Sequence, residues 1–132
     1  MANVLLTTRR NLSCAYCFAK EKMNGMPRQR MSVDDAKKVI AFLKRSNFGQ
    51  FRVMGGEPTL HPHFQTIVTL ALREGLRVDV RSNATWRDRC ADFFRRVPPA
   101  RLYFLLNIDH PASYHHKQWE RIEANLQALP DR

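Results

Sequence analysis

The chain has 132 residues, 44% of them apolar, which suits one domain with a single core. It holds no run of about 18 apolar residues, so no transmembrane helix is predicted, and Met1-Ala2-Asn3-Val4-Leu5-Leu6 lacks the charged and apolar regions of a secretory signal. The net charge of +10 sets 22 Lys plus Arg against 12 Asp plus Glu.

These cations run from Arg9 to Arg132 without a block of like charge. That pattern fits the solvated faces of helices better than a nucleic-acid-binding arm, which is usually clustered. Three cysteines are an odd count. With no secretory signal, they argue for a reducing cytoplasm and against a disulfide framework.

Asn3 to Thr8 reads as a buried strand around the apolar run Val4-Leu5-Leu6. A long loop follows from Arg9 to Met31, and loops of that length in compact domains usually carry function. Met23 and Met26, in its turn-rich part, suit a covering role. Ser32-Val33-Asp34-Asp35 is a helix start, a hydroxyl cap followed by first-turn carboxylates. Val33, Ala36, Val39, Ile40 and Leu43 form its apolar stripe.

Phe51 to Met54 is a second strand that runs into Gly55-Gly56-Glu57-Pro58. A second helix starts at Pro62 and His63 and is stopped by Gly75. Leu76 to Ser82 alternates as a third strand, and Asn83-Ala84-Thr85 is its turn. Trp86, Cys90, Phe93, Phe94 and Val97 mark a third helix, ended by Pro98-Pro99. Leu102 to Ile108 is a fourth, apolar strand, and Trp119, Ile122, Leu126 and Leu129 mark a last helix.

The order is strand then helix, four times, which implies parallel strands with right-handed crossovers. The fold class is α/β: four βα units forming a partial, open parallel barrel, a truncated TIM-like barrel, in one domain over 1–132. The fourth strand is an exposed edge unless a partner or a further segment covers it. In such folds ligands sit at the C-terminal ends of strands. The cysteine loop, Gly55 to Pro58, Ser82-Asn83 and Asp109 all fall there.

Cys14 and Cys17 are three positions apart, with Tyr16 between them. That spacing puts two thiolates on one side of a loop, where they can bite one metal centre. Two thiolates need further ligands, so the pair alone leaves a cluster, a zinc site completed by two histidines, or two reduced loop cysteines. Gly55 and Gly56 lack side chains, so the backbone can approach a ligand closely and offer its polar groups. His61 and His63 flank Pro62 and read as a helix start more readily than as a metal pair. His115-His116 is expected in a solvent-exposed loop. Cys90 falls on a core stripe and reads as a small apolar filler.

Asn11-Leu12-Ser13-Cys14-Ala15-Tyr16-Cys17, read with Gly55-Gly56-Glu57-Pro58, resembles the radical S-adenosylmethionine (SAM) superfamily. Those enzymes carry CxxxCxxC after the first strand and a GGEP segment after the second. The resemblance runs from about Asn3 to Asp109 and implies a larger open barrel of which this chain is the first part. It implies a 4Fe–4S cluster with Cys14 and Cys17 as ligands, and SAM bound by Gly55, Gly56, Glu57 and Pro58.

By the same resemblance Tyr16 lies near the adenine, Ser82 and Asn83 contact the ribose or carboxylate, and Glu57 fixes the turn or the SAM amine. Arg81 is a further candidate for the SAM carboxylate, and Asp109 is the weakest one. The implied chemistry is reductive cleavage of SAM to a 5′-deoxyadenosyl radical.

One departure is plain. Arg10 stands where the first cluster cysteine is expected, and a guanidinium has no lone pair to give a metal. The expectation is therefore a truncated radical SAM-type domain with a labile cluster, in which loss of one ligand can abolish activity, on a small-molecule cofactor and a substrate the sequence does not name. The alternative is a non-catalytic half barrel that binds SAM, a partner protein or RNA.

Overall fold

The computed structural model describes residues 2–12, 27 and 29–129. Four strands, β1 (Asn3–Thr7), β2 (Gln50–Gly55), β3 (Arg77–Ser82) and β4 (Leu102–Leu106), form one sheet in the order β1-β2-β3-β4. All three pairings are parallel. Four helices alternate with them: α1 (Val33–Arg45), α2 (Phe64–Arg73), α3 (Asp88–Arg96) and α4 (His116–Ala128). This is the βα alternation of a partial, open barrel.

Strand alternation places the core. Val4 and Leu6, Phe51 and Val53, Val78 and Val80, and Leu102 are buried together with the helical stripes Ala36, Ile40, Leu43, Ile67, Val68, Ala71, Phe93 and Phe94. The residues between them face the other way: Leu5, Arg52, Asp79 and Tyr103 are partly or fully exposed. The helices thus cover one face of the sheet. A parallel sheet is usually covered on both faces, so the second, polar face is that of a barrel left open. There Arg52 and Arg77 flank Asp79 at 3.4 and 3.5 Å, and Arg77 lies over the Tyr103 ring. Tyr103 and Leu105 of the edge strand are 41% and 51% exposed.

Local chemistry sets the element ends. The Ser32 hydroxyl accepts from the Asp35 N–H at 3.0 Å and caps α1. Gly75, at φ 86°, turns the chain out of α2. Several boundaries differ from the sequence expectation; the fourth strand, expected to run to Ile108, ends at Leu106. Trp86 lies ahead of α3, which starts only at Asp88, though its ring still packs on Phe94 at 5.1 Å. His63 is the cap of α2, after a 3-10 turn at Pro58–Leu60. His115 and His116 are exposed as expected, but His116 is the first residue of α4 and His115 its cap, whose N–H donates to the Gln118 side chain at 2.9 Å. Histidine is a rare cap, so composition gave no warning of it.

Candidate functional site

The C-terminal ends of β1, β2 and β3 meet at one rim. The chain leaving β1 crosses the double-glycine turn: Gly56 N–H donates to the Thr7 carbonyl at 2.9 Å, and Glu57 N–H to the Arg9 carbonyl at 2.8 Å. A Cβ on Gly55 would lie 2.5 Å from the Thr7 oxygen, and one on Gly56 2.3 Å from the Arg9 oxygen. Both distances are far inside van der Waals contact, so only glycine fits at either position. The space left by the missing side chains is filled by the backbone that leads to the cysteine loop. Arg10 is part of this contact, its Cβ 2.9 Å from where a Gly56 Cβ would sit.

Glu57 ties this turn to β3. The residue is 1% exposed. Its Oε1 accepts from Thr59 Oγ1 at 2.6 Å, Ser82 Oγ at 2.8 Å and Thr59 N–H at 3.3 Å. Its Oε2 accepts from Asn83 N–H at 2.9 Å. Burial pushes the carboxyl above its ordinary value, and these four donors pull it back. Four donors fill the acceptor positions of a carboxylate, so of its two expected roles Glu57 has the contacts for fixing the turn. Pro58 opens the 3-10 turn that carries Thr59.

Ser82 is buried, and its hydroxyl also accepts from Ala84 N–H at 3.1 Å. Asn83 continues the network outward, its Nδ2 donating to Asn11 Oδ1 at 3.0 Å. Asn11 Nδ2 donates in turn to Thr85 Oγ1 at 2.8 Å, and Thr85 Oγ1 to Asn83 Oδ1 at 2.5 Å. Asn11, Asn83 and Thr85 thus close a ring across the ends of β1 and β3. Asn11 and Thr85 were not singled out from sequence as site residues. Asn11 stands inside the first motif, the only signal that points to it.

Cys14, Tyr16 and Cys17 lie outside the described residues. The described chain before and after them is fixed: Arg9 by Glu57, and the return by Thr8 N–H to Gln29 O at 3.0 Å and Met31 N–H to Leu6 O at 2.8 Å. Arg81 is half-buried on the open face of the sheet, and its Nε has no hydrogen-bond partner. Asp109 sits apart on an exposed turn, accepting from His110 N–H at 2.7 Å.

His61 is 1% exposed. Its Nδ1 accepts from His63 N–H at 3.0 Å, so Nε2 carries the proton and donates to Met31 O at 2.7 Å. Burial holds its pKa below the ordinary imidazole value. Both ring nitrogens serve the fold. Cys90 is 2% exposed, and burial pushes its thiol up, which keeps it protonated and inert. Among the described residues no three His, Cys, Asp or Glu side chains are grouped to hold a metal ion. No described helix is long and apolar enough to cross a membrane.

The sequence profile of the radical SAM superfamily matches residues 4–129. A GTP 3',8-cyclase of Chlorobaculum tepidum is 32% identical over 68 residues, which is 52% of this chain and 20% of that protein. An Fe-coproporphyrin III synthase of Methanosarcina barkeri is 30% identical over 86 residues, 64% of this chain and 21% of that protein. The chain therefore spans 20% and 21% of the lengths of these two curated relatives.

Proposed function

The chain belongs to the radical SAM superfamily, and on that premise we propose that its C-terminal rim binds S-adenosylmethionine beside a weakly held iron–sulfur cluster. Members of the superfamily use a 4Fe–4S cluster and SAM. In this reading Gly55, Gly56, Glu57, Pro58, Ser82 and Asn83 shape the SAM site, Tyr16 stacks on the adenine, and Cys14 and Cys17 ligate iron.

One observation carries it. The buried Glu57 carboxylate and the Gly56 and Glu57 N–H groups join the root of the cysteine loop, the GGEP turn and the end of β3 at one rim. A cofactor spanning these segments therefore meets prepositioned backbone at the strand ends, where parallel α/β folds bind ligands.

The donor set does not fit a complete cluster. Three thiolates are needed to leave one iron for SAM, and Arg10 stands where the first belongs, a permanent cation without a lone pair. We therefore derive no radical step for this chain. What the relatives' names state, GTP for the cyclase and Fe-coproporphyrin III for the synthase, does not transfer on so short a match.

Anaerobic reconstitution with iron and sulfide tests the reading. The expected result is a labile iron–sulfur absorption band that disappears in Cys14→Ala/Cys17→Ala. Equal iron in both proteins overturns it. Saturable SAM binding without any iron uptake instead supports the rival, a non-catalytic half barrel.

A further inference from the structure

The same rim has a cavity of about 300 Å³ on the side of α3. That is room for roughly ten waters. Arg9 and Arg10 line it from the exit of β1, Arg87 and Arg89 from the start of α3, and Thr85 and Trp86 from the segment between β3 and α3. No carboxylate is among its described lining residues. Asp88, the one acid of that helical turn, is paired with Arg121 of α4 instead.

One further feature points to an anion. The first turn of α3 opens here, and Arg87, its N-cap, has no acceptor atom with which to cap the N–H groups of that turn. The N–H groups of that turn add the positive end of a helix to the guanidinium groups.

We propose that this cavity binds the phosphate or diphosphate group of a small-molecule ligand. Guanidinium groups suit it because their planar donors pair bidentately with phosphate oxygens. The volume exceeds what one phosphate needs and suits two. The site stands apart from the cluster reading: it uses Arg10 as a cation, where the cluster reading counts Arg10 as a lost ligand. Free pyrophosphate and a nucleoside diphosphate share this chemistry.

The test uses metal-free protein carrying Trp119→Phe, so that Trp86 is the sole indole emitter. Titration with pyrophosphate is expected to change Trp86 emission saturably, and ADP to do the same, while adenosine gives no change. If only ADP acts, the ligand is a nucleotide; if pyrophosphate suffices, the phosphates alone are read. Arg87→Gln/Arg89→Gln is expected to weaken binding at least about tenfold, as loss of charge-assisted bonds does. Arg9→Gln, which keeps the backbone bond to Glu57, weakens it as well. Arg45→Gln, on α1, leaves it unchanged.

No saturable response to either anion, or equal affinity in the Arg87→Gln/Arg89→Gln and Arg45→Gln proteins, overturns the proposal. So does binding of an RNA oligonucleotide without binding of pyrophosphate. Arg10→Cys separates this from the cluster reading: it is expected to weaken pyrophosphate here and to raise bound iron there, and the two results are scored independently.

Discussion

Beneath α2 and α3 the sheet is held by apolar contact, whereas at the rim the same strands are held by hydrogen bonds. Phe94 meets Phe64, Trp86 and Phe104 at ring distances of 5.9, 5.1 and 4.9 Å, all near edge-to-face. A few residues on, Glu57, two residues past the end of β2, and Ser82, the last residue of β3, are joined through a carboxylate with four donors. The core is non-directional, so its cost on mutation follows volume. The rim is directional, so its cost follows the match of donors and acceptors. A site that must keep three segments in register is served by the second kind of bonding, and the first supports it from below.

The largest contrast is expected from Phe94→Ala. It removes a fully buried ring, and urea unfolding should report a loss of about 3–5 kcal/mol. A loss under about 1 kcal/mol means that the aromatic cluster does not carry the core. Glu57→Gln changes almost no volume. It turns one acceptor oxygen into a donor that faces either Asn83 N–H or the Ser82 and Thr59 hydroxyls. The expected loss is about 1–3 kcal/mol, from a buried donor left without an acceptor. Wild-type stability in Glu57→Gln contradicts the account of the rim.

The smallest effect is a pH dependence. His61 is held below its ordinary value of 6.5 by burial. Below that pH the unfolded chain takes up a proton that the folded one refuses, so stability is complete above it and declines as pH falls. The slope from one such group is at most about 1.4 kcal/mol per pH unit. Glu57 has the opposite sign. Its pKa is raised from 4.5, so the folded state keeps a proton longer than the unfolded one, and stability is given up as pH rises through the window above that value. Unfolding midpoints at several pH values in wild type and His61→Gln check this. The wild-type decline below neutral pH should flatten in the variant, and an identical decline in both assigns it elsewhere.

Much of the fold was legible because its signals are local. Val4-Leu5-Leu6 and Leu102 to Ile108 are apolar runs, Val78 and Val80 alternate, and Ser32 announces α1. The family was legible from two motifs, Asn11 to Cys17 and Gly55 to Pro58. The rim's connections were not. Ser82 lies 25 positions from Glu57 and Asn83 lies 72 from Asn11, and no periodicity marks a hydrogen bond between residues so far apart. Nor does the sequence tell that Thr7 and Arg9 lie where a Cβ of Gly55 or Gly56 would be, because strand pairing decides which backbone comes close. Trp86 fitted a helical stripe, but α3 starts two residues later.

The central claim is that the root of the cysteine loop and the double-glycine turn share one rim, which lacks a thiolate at position 10. Iron bound per chain after anaerobic reconstitution of Arg10→Cys tests it most directly. The account predicts a clear rise over wild type, toward the four irons of a complete cluster. Iron in Arg10→Cys no higher than in wild type contradicts it.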